Sequence, residues 1–517
     1  MAGLVRLYVL GVALAILPWM PSAHAQKAKD TMRVPLIENV GGVSRYFTFS
    51  PENGLVAGGV YDGLFYYDEK RSGFQSLLAK SLKQPDPYTY DIELRDDVTW
   101  HDGEKFTADD VAYFFNWLIA PDNKLRNWSS YTWMKSIEKT GPSSVRIVSH
   151  DVTAGAQMAL AYLQPVEPKH LHEKLAPENK ADMGWNPVGT GPFKMTRVER
   201  SKGITAIANE AYKHGGDWKP AAPVKRWEFT SIPDRSTQIA QMLAGNLDFI
   251  RPDSQEMADQ LMQTGRFETR LTQTLGFTFL MFDAAGRTPN SPYRDVRVRR
   301  AIGHAIDRAQ LILLSGTSGD IAQPEAMCWR NMESCDYTKS FPEYDLEQAK
   351  RLLAEAGYNA TNKLKIELLA LEGRTRQQAE AISGMLAKVG VEATIRPVLA
   401  SVYVKMQGAG ELGLYIGLWS GSGIPDVTRT MEQFFLASPR NYNNDPDLDR
   451  LSKLVAVTQD PIQRKAYVRE AFDRTNDQAY VLPITANDIP FIYTKEVRIE
   501  PDTFDTYGVI MSHVYWK

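Results

Sequence analysis

The chain has little cysteine: 517 residues hold only Cys328 and Cys335. A disulfide-dense miniature scaffold is thereby excluded. Charge of one sign is also lacking. Lys and Arg number 59 against 62 Asp and Glu, a net charge of -3, so no polybasic face is implied and nucleic acid is not an expected partner. Beyond the first 20 residues no apolar run approaches the ~20 residues a spanning helix needs. No repeat of solenoid period and no low-complexity tract is visible. What is present is 43% hydrophobic, 23% charged and 10% aromatic, an ordinary globular balance whose length suggests about three domains.

Catalytic signatures are missing as well. There is no G-x-S-x-G; Gly417-Leu-Trp-Ser-Gly-Ser-Gly423 has the wrong spacing for a nucleophile elbow. There is no phosphate-binding G-x-x-x-x-G-K-[ST] and no H-E-x-x-H. His170 and His172 point apart on a helix and cannot chelate one metal. His101 reads as a turn residue, and Asp96-Asp97 and Asp109-Asp110 as turn or cap acids rather than catalytic pairs. No metal and no cofactor is expected. A triad assembled across the fold stays open, so a secreted hydrolase is the rival reading.

Residues 1–25 read as a secretory signal. Arg6, an apolar run from Leu7 to Met20, and Ala23-His24-Ala25 give the expected order, with cleavage before Gln26. A transmembrane anchor is the alternative; the apolar run is short for one. In an oxidising compartment Cys328 and Cys335 are expected to form one local disulfide. Two free thiols, or half of a metal site, are the alternatives.

Helical and strand patterns alternate, which predicts an α/β protein. Tyr90, Ile92 and Leu94 share one strand face. Thr107-x-x-Asp110 predicts a capped helix with Val111, Phe114, Phe115 and Leu118 inward. Asp345 opens a helix that Gly357 stops. A strand over 364–369, a helix carrying Ile382, Leu386 and Val389, and a strand over 391–395 make a βαβ crossover with a parallel pair. Ligands of such sheets bind beyond the carboxyl ends of the strands.

Seven strings then appear in order: Tyr61-Asp-Gly-Leu-Phe65, Leu94-Arg-Asp-Asp-Val-Thr-Trp-His-Asp-Gly103, Phe106-Thr-Ala-Asp-Asp-Val111, Pro187-Val-Gly-Thr-Gly-Pro-Phe193, Asn209-Glu-Ala-Tyr212, Asp295-Val-Arg-Val-Arg-Arg-Ala-Ile302 and Ala305-Ile-Asp-Arg308. Together they resemble the large periplasmic solute-binding proteins of ABC importers, the peptide/nickel/oligopeptide-binding type (extracellular solute-binding family 5). The resemblance implies a bilobed periplasmic binding protein fold (type II, the large class with an extra domain). It implies a monomer that captures a small-molecule ligand in the periplasm by hinge closure, is not inserted in the membrane, and delivers to permease subunits. Transferred here, domain I spans 26–68, 188–275 and 488–517, the extra domain 69–187, and domain III 276–487. Gly63, Gly103, Gly189 and Gly191 read as turn glycines, and Asp295 as a helix cap.

In peptide-binding members a Trp precedes a loop Asp-Tyr-Pro-Asp-Pro, whose first Asp holds the peptide α-ammonium. The matching stretch here is Leu418-Trp419-Ser420-Gly421-Ser422-Gly423-Ile424-Pro425-Asp426-Val427, which places Gly423 at the anchor. The carboxylate is missing, and a buried ammonium needs one. The expected ligand is therefore an opine or sugar conjugate, a glycoside, an oligosaccharide or a capped peptide, with an ordinary di- or oligopeptide as the alternative. Trp419 offers a flat apolar face, and Ser420 and Ser422 offer hydroxyls. Asp426 replaces the anchor or caps the next helix; Arg429 reaches an acidic ligand or faces solvent. By family position, Glu38, Asn39, Arg45, Tyr46, Phe47, Phe277, Phe279 and Tyr403 are further ligand-binding candidates, with core or surface packing as the alternative.

Overall fold

The computed structural model describes residues 30–517 except 37–39, 45, 48–50, 69–72, 124, 126–129, 163–164, 253–254, 273, 315–322, 372–374, 420–423, 488 and 501–508. The signal-like segment 1–25, Glu38, Asn39, Arg45 and the loop residues Ser420, Gly421, Ser422 and Gly423 lie outside the described residues.

The first strand, Thr31–Leu36, pairs in parallel with Arg226–Ser231 and lies on the edge of a four-stranded sheet completed by Gly203–Ala208 and Phe193–Glu199. Its Met32 and Val34 share a core with Trp227, Phe229, Phe249, Phe491, Met511 and Val514. Early, middle and final segments thus bury their apolar faces together.

A second unit is a four-stranded antiparallel sheet, in the order Ala79–Asp86, Thr89–Leu94, Ser144–Ser149 and Met134–Gly141. Tyr90, Ile92 and Leu94 are buried against the helix Ala108–Ile119, which turns Val111, Phe114, Phe115 and Leu118 inward. At that helix start the Asp110 carboxylate accepts from the Thr107 backbone N–H at 2.8 Å and its hydroxyl at 3.0 Å. The predicted cap is therefore made from the acid end.

The third unit is a five-stranded mixed sheet, in the order Glu392–Val398, Lys365–Leu371, Leu414–Trp419, Phe277–Phe282 and Val481–Ala486. The first two strands are parallel and flank the helix Arg376–Ala387 in sequence, so the predicted crossover is present. All six residues of Phe277–Phe282 are buried. Phe277, Phe279 and Met281 enter one core, and Leu280 and Phe282 the other. Asp345 and Asp295 cap their helices as expected, accepting from the backbone N–H groups of Gln348 and Arg297.

The glycines act for different reasons. Gly103 has φ +96, a left-handed turn position. Gly189 and Gly191 are needed for close approach instead. A Cβ on Gly189 would lie 2.0 Å from the Val60 carbonyl oxygen, and one on Gly191 2.5 Å from that of Gly59. This contact lets Asp62, fully buried, accept from Thr190 Oγ1 and His214 Nε2, each at 2.9 Å, and from Lys219 Nζ. His101 is part of the same packing: its Nδ1 accepts from Gly189 N–H, and its Nε2 lies 2.9 Å from the Gly191 carbonyl oxygen. Burial pulls its pKa down to about 4. The Cys328–Cys335 disulfide is formed.

Glu167 is buried, and its Oε2 has no hydrogen-bond partner among the described residues. Burial pushes its carboxyl up to about 8 against the pull of Lys180. An unfolded Glu titrates near about 4.3, so the folded chain holds a proton that the unfolded chain has lost across that window. Stability should fall by as much as about 1.4 kcal/mol per pH unit between these limits, with no further loss above them. In urea unfolding, Glu167→Gln is expected to match the wild type at pH 4 and exceed it at pH 8. An unchanged wild-type slope in the variant would refute this.

Candidate functional site

A cavity of about 630 Å³ lies where the antiparallel unit meets the five-stranded unit. Ser130, Thr132, Trp133 and the loop 150–155 form one wall. Trp419, Ile424, Asp426, the helix Thr428–Phe434 and Lys453 form the other. Trp419 is the last residue of its strand, so the cavity opens at a carboxyl end of the sheet, as the crossover predicts.

Local chemistry fixes each side chain. The Trp419 indole N–H donates to Thr430 Oγ1 at 3.0 Å, and its ring meets Phe434 edge-on at 5.2 Å. Asp426 accepts from the Thr428 backbone N–H at 2.7 Å, the capping role expected of it. It also accepts from Arg464 Nη2 through both oxygens, at 2.7 and 2.9 Å. Both partners of this ion pair are buried. Burial pushes the Asp426 carboxyl up, but the Arg464 charge outweighs it and leaves the group below the usual carboxylate range. Arg464 further donates to Ser334 Oγ, to the Val455 carbonyl and to Thr428 Oγ1.

Arg429 stands one turn on. Its Nη1 donates to Glu432 at 2.8 Å, and its Nη2 crosses the cavity to Ser130 Oγ at 3.0 Å. Burial lifts the Glu432 carboxyl above its ordinary range despite Arg429, and Asp426 adds to the rise. A second bridge between the walls runs from Ala154 N–H to the Ala456 carbonyl at 2.9 Å.

Of the residues named from sequence, the structure brings Trp419, Asp426 and Arg429 to the cavity. The other described candidates lie elsewhere. Phe277 and Phe279 are sealed in the core against Trp329 and Phe434. Tyr403, half-buried on the helix Ala400–Ala409, packs its ring 5.6 Å from that of Tyr415. Tyr46 is buried beside Phe114 and donates to the Pro165 carbonyl; Phe47 leans on Trp117. His170 pairs with Asp102, while His172 is buried beside Tyr113. Sequence reasoning missed Ser130, Trp133, Glu432 and Lys453. No motif marks them; only the tertiary fold brings residues 130–155 opposite 419–457.

A cavity between two separately cored units, lined by apolar surface with a few charged and hydroxyl groups, is the arrangement of a bilobed solute receptor. The family model of the bacterial extracellular solute-binding proteins, family 5 (middle region), matches residues 73–442, and the chain belongs to that family. It is a binding protein and not an enzyme. It is 28% identical to the heme-binding protein A of Haemophilus influenzae over 398 residues, covering 71% of this chain and 70% of that one. It is 26% identical to the oligopeptide-binding protein AppA of Bacillus subtilis over 436 residues, covering 80% and 77%. The structure of NikA from Brucella suis, solved with Fe(III)-EDTA, superimposes with a TM-score of 0.82 at 22% identity, covering 94% of this chain and all of that one. Among the described residues, no helix is long and apolar enough to cross a membrane.

The Asp426–Arg464 pair generates a stability test. Removing one partner of a buried ion pair strands the other charge, which costs about 3–5 kcal/mol. Asp426→Ala should lose that much in urea unfolding, and adding Arg464→Met should restore part of it. A loss below about 1 kcal/mol for the single variant would show the pair to be energetically idle.

Proposed function

We propose that the protein captures, between its two lobes, a small polar solute lacking a free α-ammonium, and passes it to the permease of an ABC importer. The observation that carries this reading is the state of the cavity's acids. Asp426 is neutralised by Arg464, and Glu432 is engaged by Arg429. The remaining acid, Asp151, is exposed at the surface, where water screens its hold on a cation. Gly423 at the family's anchor position supports the same reading. Candidate ligands are opine or sugar conjugates, glycosides, oligosaccharides and capped peptides, with Trp419 as a platform for a ring.

The shared core of residues 32–61, 193–249 and 491–514 supports assigning domain I to 26–68, 188–275 and 488–517. The extra domain is then 69–187, and domain III 276–487. We place the mature protein in the periplasm as a monomer, with residues 1–25 removed. The likeness to an oligopeptide-binding relative favours one second reading, a receptor for ordinary di- or oligopeptides.

Thermal shift separates the two. A bound solute adds RT ln(1 + [L]/Kd), about 2.7 kcal/mol at 100 times Kd. N-acetylated dipeptides, sugars and opines are expected to raise Tm, and dipeptides with free amino ends are not. Trp419→Ala should weaken binding at least fivefold while the chain still folds, with the ligand-free Tm lowered by the lost Thr430 bond and Phe434 contact. Strong stabilisation by free dipeptides would overturn the first reading in favour of the second.

A further inference from the structure

The cavity holds two cationic side chains, and they are in different states. Lys453 is held by Asp449 at 2.6 Å and is largely exposed. Arg429 is only about a quarter exposed. Its guanidinium carries five N–H donors, of which two make the bonds recorded, to Glu432 and to Ser130. The other donors have no partner among the described residues. The acid opposite them, Glu432, is about a third exposed, and the partial burial it has shifts its carboxyl upward. His150 and Asp151 approach from the other wall; Asp426, just before the start of the Arg429 helix, is spent on Arg464. The pair therefore combines an under-used fork of donors with a partly exposed counter-ion, both lining the cavity.

We propose that Arg429 is the anchor for an anionic oxygen group of the solute, a carboxylate or a phosphate, and that Glu432 is the resident counter-ion this group displaces. A guanidinium matches both groups with two parallel N–H···O bonds. Glu432 aims Arg429, and Ser130 on the facing wall tethers it. A ligand anion takes over the fork in a cavity that the same side chain already bridges, so the anchor stands between both walls. The inference rests on the cavity being the solute site and adds the charge the solute must carry.

The test uses the full mature protein and two matched pairs of probes, N-acetyl-Ala-Ala with its carboxamide, and glucose 6-phosphate with glucose. At least one acid is expected to bind ten times more tightly than its neutral partner, and the successful pair tells carboxylate from phosphate. Arg429→Met should erase that preference, and Arg429→Lys should restore only part of it, because an ammonium keeps the charge and loses the fork. Glu432→Gln should move the other way, tightening the acid several-fold. The opposite signs separate an anchor from a merely structural pair, since unfolding would weaken both variants. The proposal is overturned if both acids fail to bind the wild type, if neutral partners bind equally, or if Arg429→Met keeps the preference. The two readings fail separately. Tight binding of free Ala-Ala that needs Arg429 would refute the ammonium-free solute and keep the anchor; tight binding of glucose, indifferent to Arg429, would do the reverse.

Discussion

Arg464 fills its guanidinium with protein partners, and much of the cavity's second wall hangs on that arrangement. The residue sits on the helix Pro461–Asp477 and reaches Asp426, Thr428, Ser334 and the Val455 carbonyl. Three separate segments are thereby fixed to one charge. The backbone reinforces them: Glu333 N–H donates to the Pro425 carbonyl at 2.7 Å, and Val427 N–H to the Glu333 carbonyl. Glu333 and Ser334 belong to the loop closed by the Cys328–Cys335 disulfide. Loop, ion pair and helix start thus form one rigid body behind Trp419 and Arg429. The pairing charges are desolvated, so this body holds its shape only while both are present.

How much of this the sequence discloses depends on the range of the forces involved. The crossover at 365–398 was legible because strand and helix periods are local, and Gly357 and Gly390, both at positive φ, mark where helices stop. The caps at Asp295 and Asp345 are likewise local. The cavity was half legible. Trp419, Asp426 and Arg429 follow a strand end, where open sheets place their ligands. The facing wall was not, because Ser130 and Ala154 meet Arg429 and Ala456 only through tertiary packing.

The misplaced aromatics share a cause. Phe277-Thr-Phe-Leu-Met-Phe282 has apolar residues on both faces, the pattern of a strand covered on both sides. Position within the family's layout says nothing about which face of that strand meets a ligand. Tyr46, a candidate by family position, is likewise taken up by the core, where its hydroxyl donates to a buried carbonyl. Gly189 and Gly191 teach the complementary point. A sequence shows that a glycine is present, but only the nearby Val60 and Gly59 carbonyls show that the cause is contact and not a turn.

The pairing of Thr31–Leu36 with Arg226–Ser231, in a core that also needs Met511 and Val514, bears on the protein's birth. The strand Thr31–Leu36 waits for a neighbour made much later, and their joint core waits for Met511 and Val514. At ~5–20 residues per second of synthesis, that lobe stays unfinished for tens of seconds. A chain destined for the far side of a membrane gains from such a delay. For a family whose members work outside the cytoplasm, a lobe completed late is a lobe that need not be pulled apart for export.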